Sequence, residues 1–293
     1  MAPKPLPNVL EITPYVPGLA AEKGYKLSSN ENPLGCSPDA VEAIKAHLDH
    51  LELYPDGGAN LLREAIAEKY DIPADQIVCG SGSDEILQLL GRAYLSPGDE
   101  IIQSEFGFLV YRLVAQQSGA ETISVPDKKM TADVDGILAA VTDKTKIVFL
   151  ANPNNPTGSF LPFDEVKRLH EGLPEDVLLV LDAAYAEYVQ RNSYRAGMEL
   201  AGSSENVLMT RTFSKIHGLA ALRLGWAYGP KHVIDAINRV RGPFNLNALA
   251  QVAGIAALKD TKFVRNSADF NYKELRRMIP AINETGLKAW PSV

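Results

Sequence analysis

Two hydrophobic periods alternate along this chain. Short, near-continuous apolar runs occur at 77–80 (IVCG), 100–103 (EIIQ), 121–125 (ETISV), 146–151 (KIVFLA) and 177–182 (VLLVLD). Between them, SDEILQLLGRAYL, FLVYRLVAQQ and FDEVKRLHEGL place apolar residues three and four apart. The first period predicts strands and the second predicts helices. A run as continuous as VLLVLD suits a strand covered on both faces, so the alternation predicts a doubly wound α/β fold with a mostly parallel sheet between helices. Upstream, Ser37-Pro38 supplies a cap and a first-turn proline for an amphipathic helix over 39–53, and the turn at 56–58 leads into a second helix over 60–70. NVLMTRTFS and LRLGWAYG predict two further strands. From Leu246 the pattern turns helical through QVAGIAALKD and NYKELRRMIPAI, without a returning strand. This predicts a proline-rich arm over 1–35, a large domain over 36–245 and the start of a small domain over 246–293, divided near Pro243 and incomplete at its carboxyl end.

Composition narrows the class. Of 293 residues, 46% are apolar and 22% charged, which excludes a disordered, collagen-like or coiled-coil chain. The net charge of −7, with no basic run, argues against a nucleic-acid partner. No apolar stretch has the length of a membrane span or the character of an export signal, so no membrane partner is expected. Cys36 and Cys79 make neither a disulfide framework nor a metal pattern, which fits a reduced, cytoplasmic setting. His47 and His50 lie three apart on a helix, but no carboxylate stands at ligand spacing, so no metal site is expected.

Four segments carry candidate chemistry. Cys79-Gly80-Ser81-Gly82-Ser83-Asp84-Glu85 lies between a strand and a helix, where backbone N–H groups and the positive helix end can hold a phosphate. It lacks the third glycine of a dinucleotide fingerprint, and taken alone a tight strand-to-helix turn explains it as well. Asn152-Pro153-Asn154-Asn155-Pro156-Thr157-Gly158 follows a strand. It is either turn chemistry or a loop that aims Asn155 into the crevice at the carboxyl edge of the sheet. Asp182 ends the most apolar strand, three residues before Tyr185; it is either a helix cap or a carboxylate awaiting a cationic partner. Lys215, in Thr212-Phe213-Ser214-Lys215, has Phe213, Ile216 and Leu219 around it, so it is either a surface charge or an amine made nucleophilic by desolvation. Ser214 and Arg223 nearby are phosphate-binding residue types.

Taken together, in this order and spacing, Asn152 to Gly158, Asp182 with Tyr185, Thr212 to Lys215 and Arg223 resemble the fold-type I pyridoxal-phosphate aminotransferases. Four further motifs are similar to those of the histidinol-phosphate aminotransferase group. They are Ile12-Thr13-Pro14-Tyr15, Leu27-Ser28-Ser29-Asn30-Glu31-Asn32-Pro33-Leu34-Gly35, Tyr54-Pro55-Asp56 and Arg241-Gly242-Pro243-Phe244-Asn245-Leu246-Asn247. The resemblance runs from about Thr13 to Leu258.

The resemblance implies a homodimer binding pyridoxal 5′-phosphate. Lys215 would carry the cofactor and move the reacting proton, Asp182 would hold the pyridine nitrogen, and Asn155 and Tyr185 would bind the ring's O3′. The backbone at Ser83 and Asp84, with Ser214 and Arg223, would hold the phosphate, joined by Tyr54 from the partner subunit. Phe106 would stack on the ring, at a position where the family usually has tyrosine, and Tyr15 would lie near the substrate's phosphate. The implied reaction is L-histidinol phosphate with 2-oxoglutarate giving imidazole acetol phosphate and L-glutamate, in L-histidine biosynthesis. Alternatives within the cofactor class are an aromatic amino acid aminotransferase, a phosphothreonine-type decarboxylase, and a truncated chain that binds cofactor without turnover. The sensor domain of a transcription regulator fits less well, because the resemblance begins by Thr13 and leaves no room for a helix-turn-helix module ahead of it.

Overall fold

The structure is a computed structural model that describes residues 3–15 and 27–293. The expected arm over 1–35 therefore falls partly outside the described residues, at 1–2 and 16–26. Seven strands form one sheet: β1 (Ile77–Gly80), β2 (Glu100–Ser104), β3 (Glu121–Val125), β4 (Thr145–Ala151), β5 (Leu178–Asp182), β6 (Val207–Thr212) and β7 (Gly225–Tyr228). Their order is β1-β7-β6-β5-β4-β2-β3. Neighbours from β6 to β3 pair in parallel, whereas β7 is antiparallel to both β6 and β1. The segment between β6 and β7, residues 213–224, holds only one turn of 3-10 helix, Ala220–Leu222, and returns the chain antiparallel beside β6.

The helices are α1 (Pro7–Leu10), α2 (Pro38–His47), α3 (Asn60–Tyr70), α4 (Ser83–Tyr94), α5 (Leu109–Ser118) and α6 (Val134–Ala139). Then follow α7 (Phe163–Gly172), α8 (Met198–Ser203), α9 (Lys231–Val240), α10 (Ala248–Lys259) and α11 (Thr261–Glu284). The helix expected over 39–53 ends at His47 and tightens into a 3-10 turn over Leu48–His50. Helices α1, α6 and α8 have four to six residues, too few to display a period.

Successive residues of the central strands are buried on alternate faces, and both faces of the sheet are covered. Leu179 and Leu181 of β5 join the core cluster that includes Leu62 and Ile66 of α3 and Val166 and Leu169 of α7. Leu178 and Val180 point the other way, into a second cluster with Leu87 and Leu90 of α4, Val114 of α5 and Ile237 of α9. That is the layering which the continuous apolar run predicts. The first cluster continues past Pro243, because Ala250, Ala253, Ala257 and Leu258 of α10 pack into it. Among the described residues, no strand follows β7, and this core cluster includes residues on both sides of Pro243. Among the described residues, no helix is long and apolar enough to cross a membrane.

Candidate active site

Strands β4, β5 and β6 are parallel, and β1 shares their direction because β7 runs against both β6 and β1. Their carboxyl ends therefore meet at one edge of the sheet, the edge at which ligands of open α/β sheets bind. A cavity of about 370 Å³ opens there. Asn155 reaches its wall from the loop after β4, Asp182 from the end of β5, Lys215 from the loop after β6, and Ser83 and Asp84 from the start of α4.

Asp182 is 4% exposed. Burial pushes its carboxyl above the ordinary carboxylate range, while a hydrogen bond from Tyr111 works in the opposite direction. Tyr111 Oη donates to Oδ2 at 2.8 Å; Thr210 Oγ1 and the Ala184 amide donate to Oδ1, each at 3.3 Å. Tyr111 is itself fully buried and stacks on Phe149, with ring centroids 4.7 Å apart. Burial and the adjacent Asp182 raise its phenol far above the usual range, so it remains a neutral donor. Asp182 is thus a desolvated carboxylate with fixed donors beneath it and the cavity above, a site that favours a cation.

Lys215 faces the same cavity. Its Nζ donates to the Ser29 carbonyl at 2.9 Å and lies 5.7 Å from the centroid of the Tyr185 ring. Burial lowers its proton affinity, with the charge of Asp84 opposing that shift. Tyr185 Oη accepts a hydrogen bond from Asn30 Nδ2 at 3.0 Å, and burial raises its phenol. A partly desolvated amine beside a phenol is the arrangement that a nucleophilic lysine requires.

At the other end of the cavity, no side chain caps the first turn of α4, so its leading amides are available to an anion. Gly82, at φ +80°, precedes the helix, and a Cβ there would run into the Arg223 guanidinium. Arg223 occupies the left-handed region at φ 52° and is held by Ser214 Oγ at 3.3 Å, the Ala220 carbonyl at 3.1 Å and Asp84 Oδ2 at 3.2 Å. An uncapped helix start, a buried serine, a second hydroxyl and an arginine therefore converge, as a phosphate group requires.

The asparagine loop divides its labour. Asn152 clasps Leu161, donating to its carbonyl at 3.1 Å and accepting from its amide at 2.8 Å. Asn154 Nδ2 donates to the Phe106 carbonyl at 3.2 Å and to Thr157 Oγ1 at 2.9 Å. These two knit the loop, and Asn155 is the one that lines the cavity.

Two expected positions are not brought together with the rest. Phe106 contributes a backbone carbonyl to Asn154, whereas the phenylalanine that lines the cavity is Phe108. Counting along the loop in sequence gave no sign of which phenylalanine turns inward. Tyr54 is 81% exposed and stacks on Phe244 with centroids 4.7 Å apart, outside this cavity. Tyr15 is 73% exposed and borders the cavity mouth. Sequence reasoning also missed Tyr111, Ser29 and Asn30, whose contacts to Asp182, Lys215 and Tyr185 span large separations along the chain.

Residues 22–292 match the family model described as aminotransferase class I and II. The histidinol-phosphate aminotransferase of Maricaulis maris (strain MCS10) is 56% identical over 297 aligned positions, which cover 100% of this chain and 82% of that protein. Its counterpart in Rhodopseudomonas palustris (strain TIE-1) is 52% identical over 99% of this chain and 81% of its own length. Among solved structures, the histidinol-phosphate aminotransferase of Sinorhizobium meliloti in complex with pyridoxal-5′-phosphate superposes with a TM-score of 0.86 at 30% identity, over 90% of this chain and 72% of that one. With the same family found by sequence and by fold, the chain belongs to the class I and II aminotransferases, in their histidinol-phosphate aminotransferase group.

Proposed function

We propose that the protein transfers the amino group of L-histidinol phosphate to 2-oxoglutarate, giving imidazole acetol phosphate and L-glutamate, in cytoplasmic L-histidine biosynthesis and with pyridoxal 5′-phosphate as cofactor. The observation that carries this reading is the convergence of Lys215 Nζ, the buried Asp182 carboxylate and the uncapped start of α4 on one cavity.

The donor set fits the cofactor at three points. Asp182 is a buried anion suited to a protonated ring nitrogen, and its three fixed hydrogen bonds keep the carboxylate oriented. Ser83, Ser214, Arg223 and the α4 amides suit a dianionic phosphate. Asn155 and Tyr185 present an amide and a phenol to the same space, as a ring oxygen between them would need. When bound, pyridoxal phosphate supplies an electron sink for the carbanion and a carrier for the amino group. The chain's own residues do the rest. Lys215 holds the cofactor at rest and, once displaced by the donor, takes the proton from the donor's Cα at its Nζ. Burial supports that role, since an ammonium with lowered proton affinity reaches its neutral, basic form more readily. Phe108, on the cavity wall, is positioned to cover a ring face, in the role first expected of Phe106. Tyr15, which also lines the cavity, would meet the donor's phosphate.

The active unit of this reading is a homodimer. Leu51, Leu53, Tyr54 and Leu61 are all more than three-fifths exposed, an apolar surface that a second copy would cover. Tyr54 would then reach the partner's phosphate site. In mixed dimers of Tyr54→Phe and Lys215→Ala subunits, one site carries both lesions and the other neither. Activity of the mixture above the mean of the two parents is the expected outcome, and no gain counts against sharing of the site. The substrate assignment is tested by a donor panel at fixed 2-oxoglutarate, reading glutamate formation. Histidinol phosphate should exceed phenylalanine and tyrosine in kcat/KM by at least about tenfold, the least that one charge-assisted phosphate contact supplies. A preference for an aromatic amino acid would transfer the assignment to the aromatic aminotransferases.

A further inference from the structure

The Asn30-Glu31-Asn32-Pro33 motif has no role in the proposed chemistry beyond Asn30, yet its neighbourhood is tied to the segment around Lys215 at several points. Three consecutive anchor points join the arm to the lysine loop. Lys215 Nζ donates to the Ser29 carbonyl at 2.9 Å, Asn32 Nδ2 donates to the Ile216 carbonyl at 2.9 Å, and Gly218, at φ +68°, packs so closely that a Cβ would collide with the Gly35 carbonyl. The arm and the start of α2 just after it are tied to α11 at one point each. Asn32 Nδ2 also donates to Ser267 Oγ at 3.0 Å, and Ser37 Oγ donates to Asp260 Oδ2 at 2.7 Å, where Asp260 caps α11 by accepting from the Phe263 amide. Asn32 completes its valence with Oδ1, which accepts from the Leu34 amide at 3.0 Å.

Asn32 therefore uses both amide protons and its oxygen to join three chain segments that are far apart in sequence: the arm, the loop after β6, and α11. Ser267 is only 2% exposed, so its hydroxyl has no solvent to fall back on if the amide is removed. No other described side chain bonds both the lysine loop and α11. Beyond Ala268, every residue of α11 is exposed or half-buried, so that part of the helix is lightly committed to the core. A shift of α11 must then either break the Asn32 junction or drag Ile216, and with it the adjacent Lys215.

We infer that Asn32 is a positioning residue that couples α11 to Lys215, so that the placement of the helix is felt at the reacting amine. The inference rests on the aminotransferase reading for its kinetic arm but not for its structural one. Asn32→Ala should slow kcat by about tenfold to a hundredfold, the scale of a misplaced catalytic group, and change the KM for the donor by less than about threefold. Ser267→Ala should slow kcat by a smaller factor, and Ser267→Thr, which keeps the hydroxyl, should restore it. Adding Ser267→Ala to Asn32→Ala should have no further effect, because both act through one junction.

Hydrogen exchange on the cofactor-free protein supplies the readout that needs no turnover. In Asn32→Ala and in Ser267→Ala, amides of 213–219 should exchange faster than in wild type, while those of β4 and β5 stay protected. Wild-type exchange over 213–219 in both variants, or additive effects of the two substitutions on kcat, overturns the coupling. Should wild-type protein fail to turn over histidinol phosphate, the substrate assignment falls while the exchange experiment still decides this inference. Should Asn32→Ala fail to fold, Ser267→Ala against Ser267→Thr decides it alone.

Discussion

Lys215→Ala is expected to remove transamination by about 10⁴-fold or more, the largest single effect in this protein. No other described lysine lines the cavity, and among the described residues Lys215 is the amine that burial shifts toward its neutral form. The substitution should leave the fold intact. The loop keeps its backbone bonds from Gly218 to the Lys215 carbonyl and from Leu219 to Phe213, each 3.0 Å, and the side chain's one hydrogen bond, to the Ser29 carbonyl, is a single contact. Cofactor should still be retained through the phosphate end, where Arg223, Ser214 and the start of α4 are untouched. The variant should therefore bind pyridoxal phosphate noncovalently and lose it on dialysis faster than wild type. Single-turnover mixing with donor checks the rate. A residual rate within about a hundredfold of wild type would mean that another base moves the proton.

Asp182→Asn carries the second largest effect, a slowing of the half-reaction by about a hundredfold or more. The side chain is nearly isosteric and its site is buried, so the difference lies in charge rather than shape. A carboxylate 4% exposed, with Tyr111 donating to one oxygen and Thr210 and Ala184 to the other, stabilises a cation set above it. The amide does not, and its NH₂ group must also face either the Tyr111 hydroxyl or the two donors at Oδ1. Tyr111 can rotate its proton away, so the variant should fold, with a modest loss of stability of about 1–2 kcal/mol for the disturbed buried hydrogen bonds. Cofactor binding should persist through the phosphate contacts. Stopped-flow absorbance during a single turnover measures the effect, and a near wild-type rate would remove Asp182 from the mechanism.

How much of this could be read from the residues alone depended on distance along the chain. The strands and long helices follow from local periods, and α3 and β1 begin and end where the pattern places them. The antiparallel β7 needed the three-dimensional connection. A run such as GWAY has no direction of its own, and only its pairing with β6 and β1 shows it. The four chemical segments were visible as motifs because each sits at the end of a strand or the start of a helix, but composition and spacing left each with two readings. The structure adds the burial and partners of each residue. Asp182 has donors beneath it instead of a helix to cap, and Lys215 is half-covered instead of solvated. What stayed hidden is long-range. Tyr111 is 71 residues from Asp182, and Asn32 lies 184 and 235 residues from Ile216 and Ser267. No local pattern announces such contacts. Phe106 and Phe108 lie two residues apart, and only the path of the chain shows which of them lines the cavity.

The most direct test of the central claim is chemical. Wild-type protein loaded with pyridoxal phosphate should be reduced with borohydride, digested, and the modified peptide sequenced. The account predicts one adduct, on Lys215, in the peptide that contains Thr212-Phe213-Ser214-Lys215. An adduct on any other lysine, or none, would contradict it.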